Sequence, residues 1–116
     1  MQKQNNYKPA IYDIALVNLP YQGEFSLYGP HPCVIYNRIG CNFRIVPITN
    51  YKEKLYWCEY PLEKGRCNLN KRSKLKLDQE KNVSIEQIIC KIGIADNEIK
   101  KAIKEYLNRI ANSIEI

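Results

Sequence analysis

Short β-branched runs fill most of this chain, and a single helical stripe closes it. Residues 12–19 form an apolar run that Pro20 stops, which predicts a strand. Residues 32–38 predict a second; Pro32 is tolerated because it occupies the first position. Gly40 turns the chain into a third run over 42–49, where Pro47 implies an edge, a bulge or the end of pairing. A fourth strand is predicted over 55–60, closed by Pro61, and a half-exposed fifth over 74–77, where lysine and leucine alternate strictly. From 84 to 92 the isoleucines Ile85, Ile88, Ile89 and Ile92 stand at helical spacing yet are β-branched, which suggests a strand with a short turn of helix. Gly93 is then expected to break the chain ahead of a helix. Asp96 is its N-cap and Glu98 suits its first turn through the dipole. Ile99, Ala102, Ile103, Tyr106, Leu107 and Ile110 make one apolar stripe, expected to pack on the sheet. Five or six short strands and one terminal helix predict a mainly β (α+β) fold, a strongly bent sheet or small barrel with the helix on one side.

The segment from Pro20 to Pro30 has two glycines, Ser26 and no period, so it reads as a loop of a length that is often functional. Residues 1–11 are polar and expected to be loosely held, leaving one domain over 12–116, as a chain of 116 residues suits. No apolar run reaches membrane-spanning length, and Met1-Gln2-Lys3-Gln4-Asn5-Asn6 is not followed by a signal-peptide core. The expectation is a soluble cytoplasmic protein. Cys33, Cys41, Cys58, Cys67 and Cys90 are odd in number, and no pair has the spacing of a zinc knuckle. All five read as structural, with no metal, disulfide or cofactor implied.

Charge adds one feature. Residues 64–81 hold seven Lys or Arg against Asp78 and Glu80, so they carry +5 of the chain's net +6. Such a stretch suits a polyanion such as nucleic acid, and equally a solvated basic face or a dock for an acidic protein. The candidate chemistry lies at two strand ends, Gly29-Pro30-His31-Pro32 and Val46-Pro47-Ile48-Thr49-Asn50, which include the only histidine. They are expected to meet in space.

Asp13-Ile14-Ala15-Leu16-Val17-Asn18-Leu19 is followed by Gly29-Pro30-His31-Pro32-Cys33-Val34-Ile35 and by Val46-Pro47-Ile48-Thr49. Leu69-Asn70-Lys71-Arg72-Ser73, Asp78-Gln79 and Ile92-Gly93 come next, ahead of the helix. In this order and spacing, from about residue 12 to residue 110, the chain resembles the MazF/PemK family of toxin ribonucleases from bacterial toxin–antitoxin pairs. The resemblance implies a small Src-homology-3-like barrel of five to seven strands with a C-terminal helix. It implies a homodimer that cuts single-stranded RNA without a metal, the RNA's own 2′-hydroxyl attacking the adjacent phosphate to leave a 2′,3′-cyclic phosphate and a 5′-hydroxyl. It also implies a cognate antitoxin that blocks the groove with an acidic segment. In that family an arginine precedes the proline opening the second strand, and a Thr or Ser follows the third. Here Thr49 matches, His31 stands in the arginine's place, and Asn50 replaces the serine usual after the threonine.

Such cleavage needs a proton acceptor, a proton donor, and positive charge or N–H groups near the phosphate. An unperturbed imidazole titrates at about 6.5, so His31 is competent as general acid or base, without arginine's permanent charge or two-pronged grip. Thr49 can hydrogen-bond the phosphate or orient the 2′-oxygen, with Gly29 and Asn50 beside these two as substrate contacts. Lys71, Arg72 and Lys74 are expected to follow the RNA backbone. Ser73 and Gln79 match later family positions, and Gln79 either reads a base edge or is an ordinary polar turn residue. Phe25 and Tyr28 are expected to stack on bases, and Trp57 and Tyr106 to lie in the core or a dimer interface. Two rival readings stand beside cleavage. One is a non-enzymatic protein binder on a similar fold, as in the gyrase-poisoning CcdB-like toxins. The other is a degenerate member that holds RNA or antitoxin without cutting.

Overall fold

In the computed structural model the described residues are 7–52 and 54–114; Met1-Gln2-Lys3-Gln4-Asn5-Asn6 lies outside them. Seven antiparallel strands precede one helix: β1 (Asp13–Leu19), β2 (Gly29–Ile39), β3 (Asn42–Asn50), β4 (Glu59–Leu62), β5 (Ser73–Lys76), β6 (Lys81–Ser84), β7 (Ile88–Ile94) and α1 (Asn97–Ile114). The sheet runs β4-β5-β3-β2-β1-β7, with β6 also paired to β3. This is the mainly β architecture with a terminal helix that the pattern predicts. No described helix is long and apolar enough to cross a membrane.

The central strands are apolar on both faces because each face meets a separate cluster. Ile14, Val34, Val46, Ile48 and Leu75 pack under the helix residues Ile99 and Ile103. Ala15, Val17, Cys33, Ile35, Phe43, Ile45 and Val83 fill the opposite side. The edge of β3 away from β2 is divided. Residues Asn42–Ile45 pair with β6, and Ile48–Asn50 pair with β5. Pro47 sits at the changeover, where a missing N–H breaks no ladder on that edge.

Three expectations are corrected. The fourth strand is Glu59–Leu62, not residues 55–60, and Pro61 lies inside it. Leu55, Tyr56 and Trp57 are exposed in a turn closed by a bond from Glu59 N to Tyr56 O. Trp57 is thus outside the core, its ring 5.9 Å from Tyr106. Pro61 is tolerated because β4 is an edge strand. Gly93 does not break the chain but lies within β7, where a Cβ would come within 2.5 Å of the Cys67 carbonyl oxygen. Ile110 belongs to the helical stripe but is exposed, so α1 packs on the core from Ile99 to Leu107 and not beyond. The ambiguous stretch 84–92 is a strand interrupted by a 3-10 turn at Ile85–Gln87, closed by a Ser84–Gln87 capping box.

Asp96 caps α1 as expected, its Oδ1 accepting from Ile99 N at 2.9 Å. The same carboxylate receives Arg66, Nε to Oδ2 at 2.7 Å and Nη2 to Oδ1 at 3.0 Å. Cys67 and Asn68, next to that arginine, are both left-handed, with φ of 52° and 68°. One carboxylate therefore joins the helix to a strained loop. The Arg66 hydrogen bonds hold the Asp96 carboxyl down to about 2, against the opposing effect of partial burial.

Two outcomes follow from this packing. Gly93→Ala should lower stability by about 1–3 kcal/mol in urea denaturation, because the Cys67 backbone cannot yield without moving its loop. A depressed carboxylate stabilises the fold above its unfolded pKa of about 3.9, and that contribution is lost as pH falls toward 2. The stability gap between wild type and Asp96→Asn should therefore be widest near neutrality and shrink across this window.

Candidate active-site groove

The β2–β3 ladder begins only at Cys33↔Pro47. Pro30 and Pro32 supply no N–H to the first residues of β2, while the end of β3 turns to β5 through Ile48↔Leu75, Thr49↔Lys74 and Asn50↔Ser73. The two strand ends diverge, and a groove of about 310 Å³ opens between them. Pro30, His31 and Pro32 line one side, and Ile48, Thr49 and Asn50 the other. Leu69, Asn70, Lys71 and Ser73 complete it.

His31 is half-buried, and its Nδ1 stands 3.2 Å from the Ile48 carbonyl oxygen. A carbonyl only accepts, so Nδ1 donates in this bond and Nε2 is the ring nitrogen left for another partner. The Cys33 thiol donates to the His31 carbonyl at 3.4 Å, and burial pushes that thiol's pKa up, keeping it protonated. Ser73 is buried and its hydroxyl donates to Lys71 O at 2.8 Å, bracing the turn that presents the exposed Lys71. The groove thus unites an imidazole, a threonine hydroxyl, two carboxamides and one cation. That set can exchange a proton, donate hydrogen bonds and attract an anion.

His31, Thr49, Asn50, Lys71 and Ser73 come together here, and Gly29, with φ of 79°, is the residue before the groove wall at Pro30. The other sequence candidates lie elsewhere. Lys74 donates to Glu59 Oε1 at 2.9 Å and to Lys54 O at 3.0 Å. Arg72 lies 4.1 Å from the centre of the Tyr51 ring. Gln79 binds the backbone of the loop before β2 at Phe25 and Leu27. On that loop Phe25 is 88% exposed, and Tyr28 meets Tyr21 edge-on at 5.3 Å.

The sequence alone does not assign Leu69 or Asn70 to the site, nor does it reveal the support behind Lys74. The side chain of Glu59 is fully buried and accepts from Lys74, Lys76 and Tyr56 N. Burial would raise its pKa, but those hydrogen bonds prevail and hold it below the usual range. Lys76 is correspondingly raised: its own burial works against the charge, but the bond to Glu59 outweighs it. The strict alternation of Lys74 and Lys76 on one face of β5 was the available signal that an acid faces them. Removing that acid strands two partly buried cations. Glu59→Ala should cost about 3 kcal/mol by thermal or urea unfolding.

A family model described as PemK-like, MazF-like toxin of type II toxin–antitoxin system matches residues 11–111. Among solved structures, the Mycobacterium tuberculosis toxin MazF-mt6 is similar with a TM-score of 0.66 and 19% identity, covering 86% of this chain and 96% of that one. At that identity the likeness concerns the fold. No curated protein matches the sequence.

Proposed function

Because this chain belongs to the PemK-like, MazF-like toxins of type II toxin–antitoxin systems, we propose that its groove is the cleavage site of a metal-independent, sequence-specific endoribonuclease acting on single-stranded RNA. The observation that carries this is the hydrogen bond from His31 Nδ1 to the Ile48 carbonyl, one residue before Thr49. It fixes the imidazole and leaves Nε2 for the proton.

The RNA's 2′-oxygen forms a bond to phosphorus while the bond from phosphorus to the 5′-oxygen breaks, giving a 2′,3′-cyclic phosphate and a 5′-hydroxyl. The 2′-hydroxyl loses its proton and the departing 5′-oxygen gains one. Neutral His31 accepts the first proton, or protonated His31 donates the second; water completes the pair. Thr49 donates a hydrogen bond to a phosphate oxygen, and Lys71 supplies positive charge where the family's arginine is absent. The protein works as a cytoplasmic homodimer, and its antitoxin silences it by covering the groove with an acidic segment.

Arg72 and Lys74 face Tyr51 and Glu59 instead of the groove. That favours, as a second reading, a member that holds RNA with too little charge at the phosphate to cut it. One assay separates the two. Purified protein in EDTA should cut a long RNA and leave cyclic-phosphate ends; intact RNA with binding retained would establish the second reading. His31→Ala should lower the cutting rate by about a hundredfold or more, and unchanged activity would remove His31 from the chemistry. Thr49→Val should cost about tenfold, the size of one lost hydrogen bond to a charged group.

A further inference from the structure

The loop between β1 and β2 is pinned at three consecutive residues by two side chains flanking Glu80. Gln79 uses both ends of its amide: Nε2 donates to Phe25 O at 3.1 Å, and Oε1 accepts from Leu27 N at 3.3 Å. Between them, Ser26 Oγ is gripped by the Lys81 ammonium, which also donates to Gln22 Oε1 at 3.2 Å. Leu27 is half-buried against the core cluster that contains Val83.

Lys81 is 7% exposed and has no carboxylate partner among the described residues. Both of its oxygen partners are neutral and both belong to this loop. A buried ammonium without acceptors is costly, so the cation favours the state in which the loop stays down. Phe25 is nevertheless the most exposed of the large hydrophobic residues, at 88%. A ring displayed on a segment held at residues 25, 26 and 27 is presented, not merely left loose. Four residues separate it from the groove wall at Pro30, so the two are at most roughly 17 Å of extended chain apart.

We propose that Gln79 and Lys81 are positioning residues that hold residues 25–27 so that Phe25 stacks on a base of the RNA beside the one being cut. Gln79 then acts through the loop, its amide oriented by Phe25 O and Leu27 N. Base preference is set by what the loop displays. This inference rests on the RNA reading of the groove, and its test separates the two.

Binding is measured with single-stranded 2′-O-methyl oligoribonucleotides of mixed sequence, which lack the attacking hydroxyl. Hydrogen exchange of residues 21–28 is followed in parallel without RNA. Phe25→Ala should weaken binding about tenfold, near the lower limit for a lost base stack. Gln79→Ala and Lys81→Met should each weaken it several-fold, speed exchange in the loop alone, and raise KM for a cleavable RNA while kcat changes by less than about twofold. In the double variants, Phe25→Ala should add almost nothing, because an unpinned ring no longer stacks. Additive losses, or loop exchange that stays as in wild type, would overturn the positioning role and leave the groove reading intact. A wild-type chain that binds none of these oligonucleotides would overturn both. Loss of folding in Lys81→Met would leave Gln79→Ala to decide the matter by the same criteria.

Discussion

The geometry of the groove depends on the way β3 divides its outer edge. A strand nine residues long serves β2 on one side and two different partners, β6 and β5, on the other. The division falls at Val46 and Pro47, where a missing amide donor costs nothing on the outer edge. Beyond that point β3 follows β5, and the first residues of β2 pair with β1 alone. The groove is therefore a consequence of sheet topology, because two paired strands separate at their ends, not of a cavity left by poor packing. His31 closes the gap with one bond to Ile48 O, so the separating ends remain in fixed relation.

The third wall has a different origin. Leu69, Asn70 and Lys71 follow a loop that cannot form regular structure, since Gly65, Cys67 and Asn68 all have positive φ. Left-handed non-glycine residues persist only where their surroundings enforce them. Here the enforcement comes from Arg66 on Asp96 and from the close approach of the Cys67 carbonyl to Gly93. The helix N-terminus, the β7 glycine and the groove wall form one mechanical unit, although the wall precedes the other two by more than twenty residues.

This explains which parts of the fold were legible in the sequence. β1, β2 and β3 carry dense β-branched runs because both of their faces are buried, and the stripe and cap of α1 are local patterns. The fourth strand was misplaced because Leu55, Tyr56 and Trp57 are apolar yet exposed, whereas β4 is fixed by Glu59 binding lysines fifteen and seventeen residues away. Gly93 looks like a breaker in the sequence because nothing local announces Cys67. At the site, the two strand ends holding His31 and Thr49 stood out by their prolines and polar residues. Lys74 and Gln79 looked like surface groups, since their partners at Glu59, Phe25 and Leu27 are visible only in three dimensions.

The dependence of the groove wall on Asp96 also orders events in time. Arg66 leaves the ribosome thirty residues ahead of the carboxylate that anchors it. During synthesis β1 to β3 can pair, and His31 can reach Ile48, while the segment carrying Lys71 still has no anchor. The complete groove exists only after the first turn of α1 has emerged and docked. A nascent chain therefore carries an unfinished groove wall through most of its own synthesis.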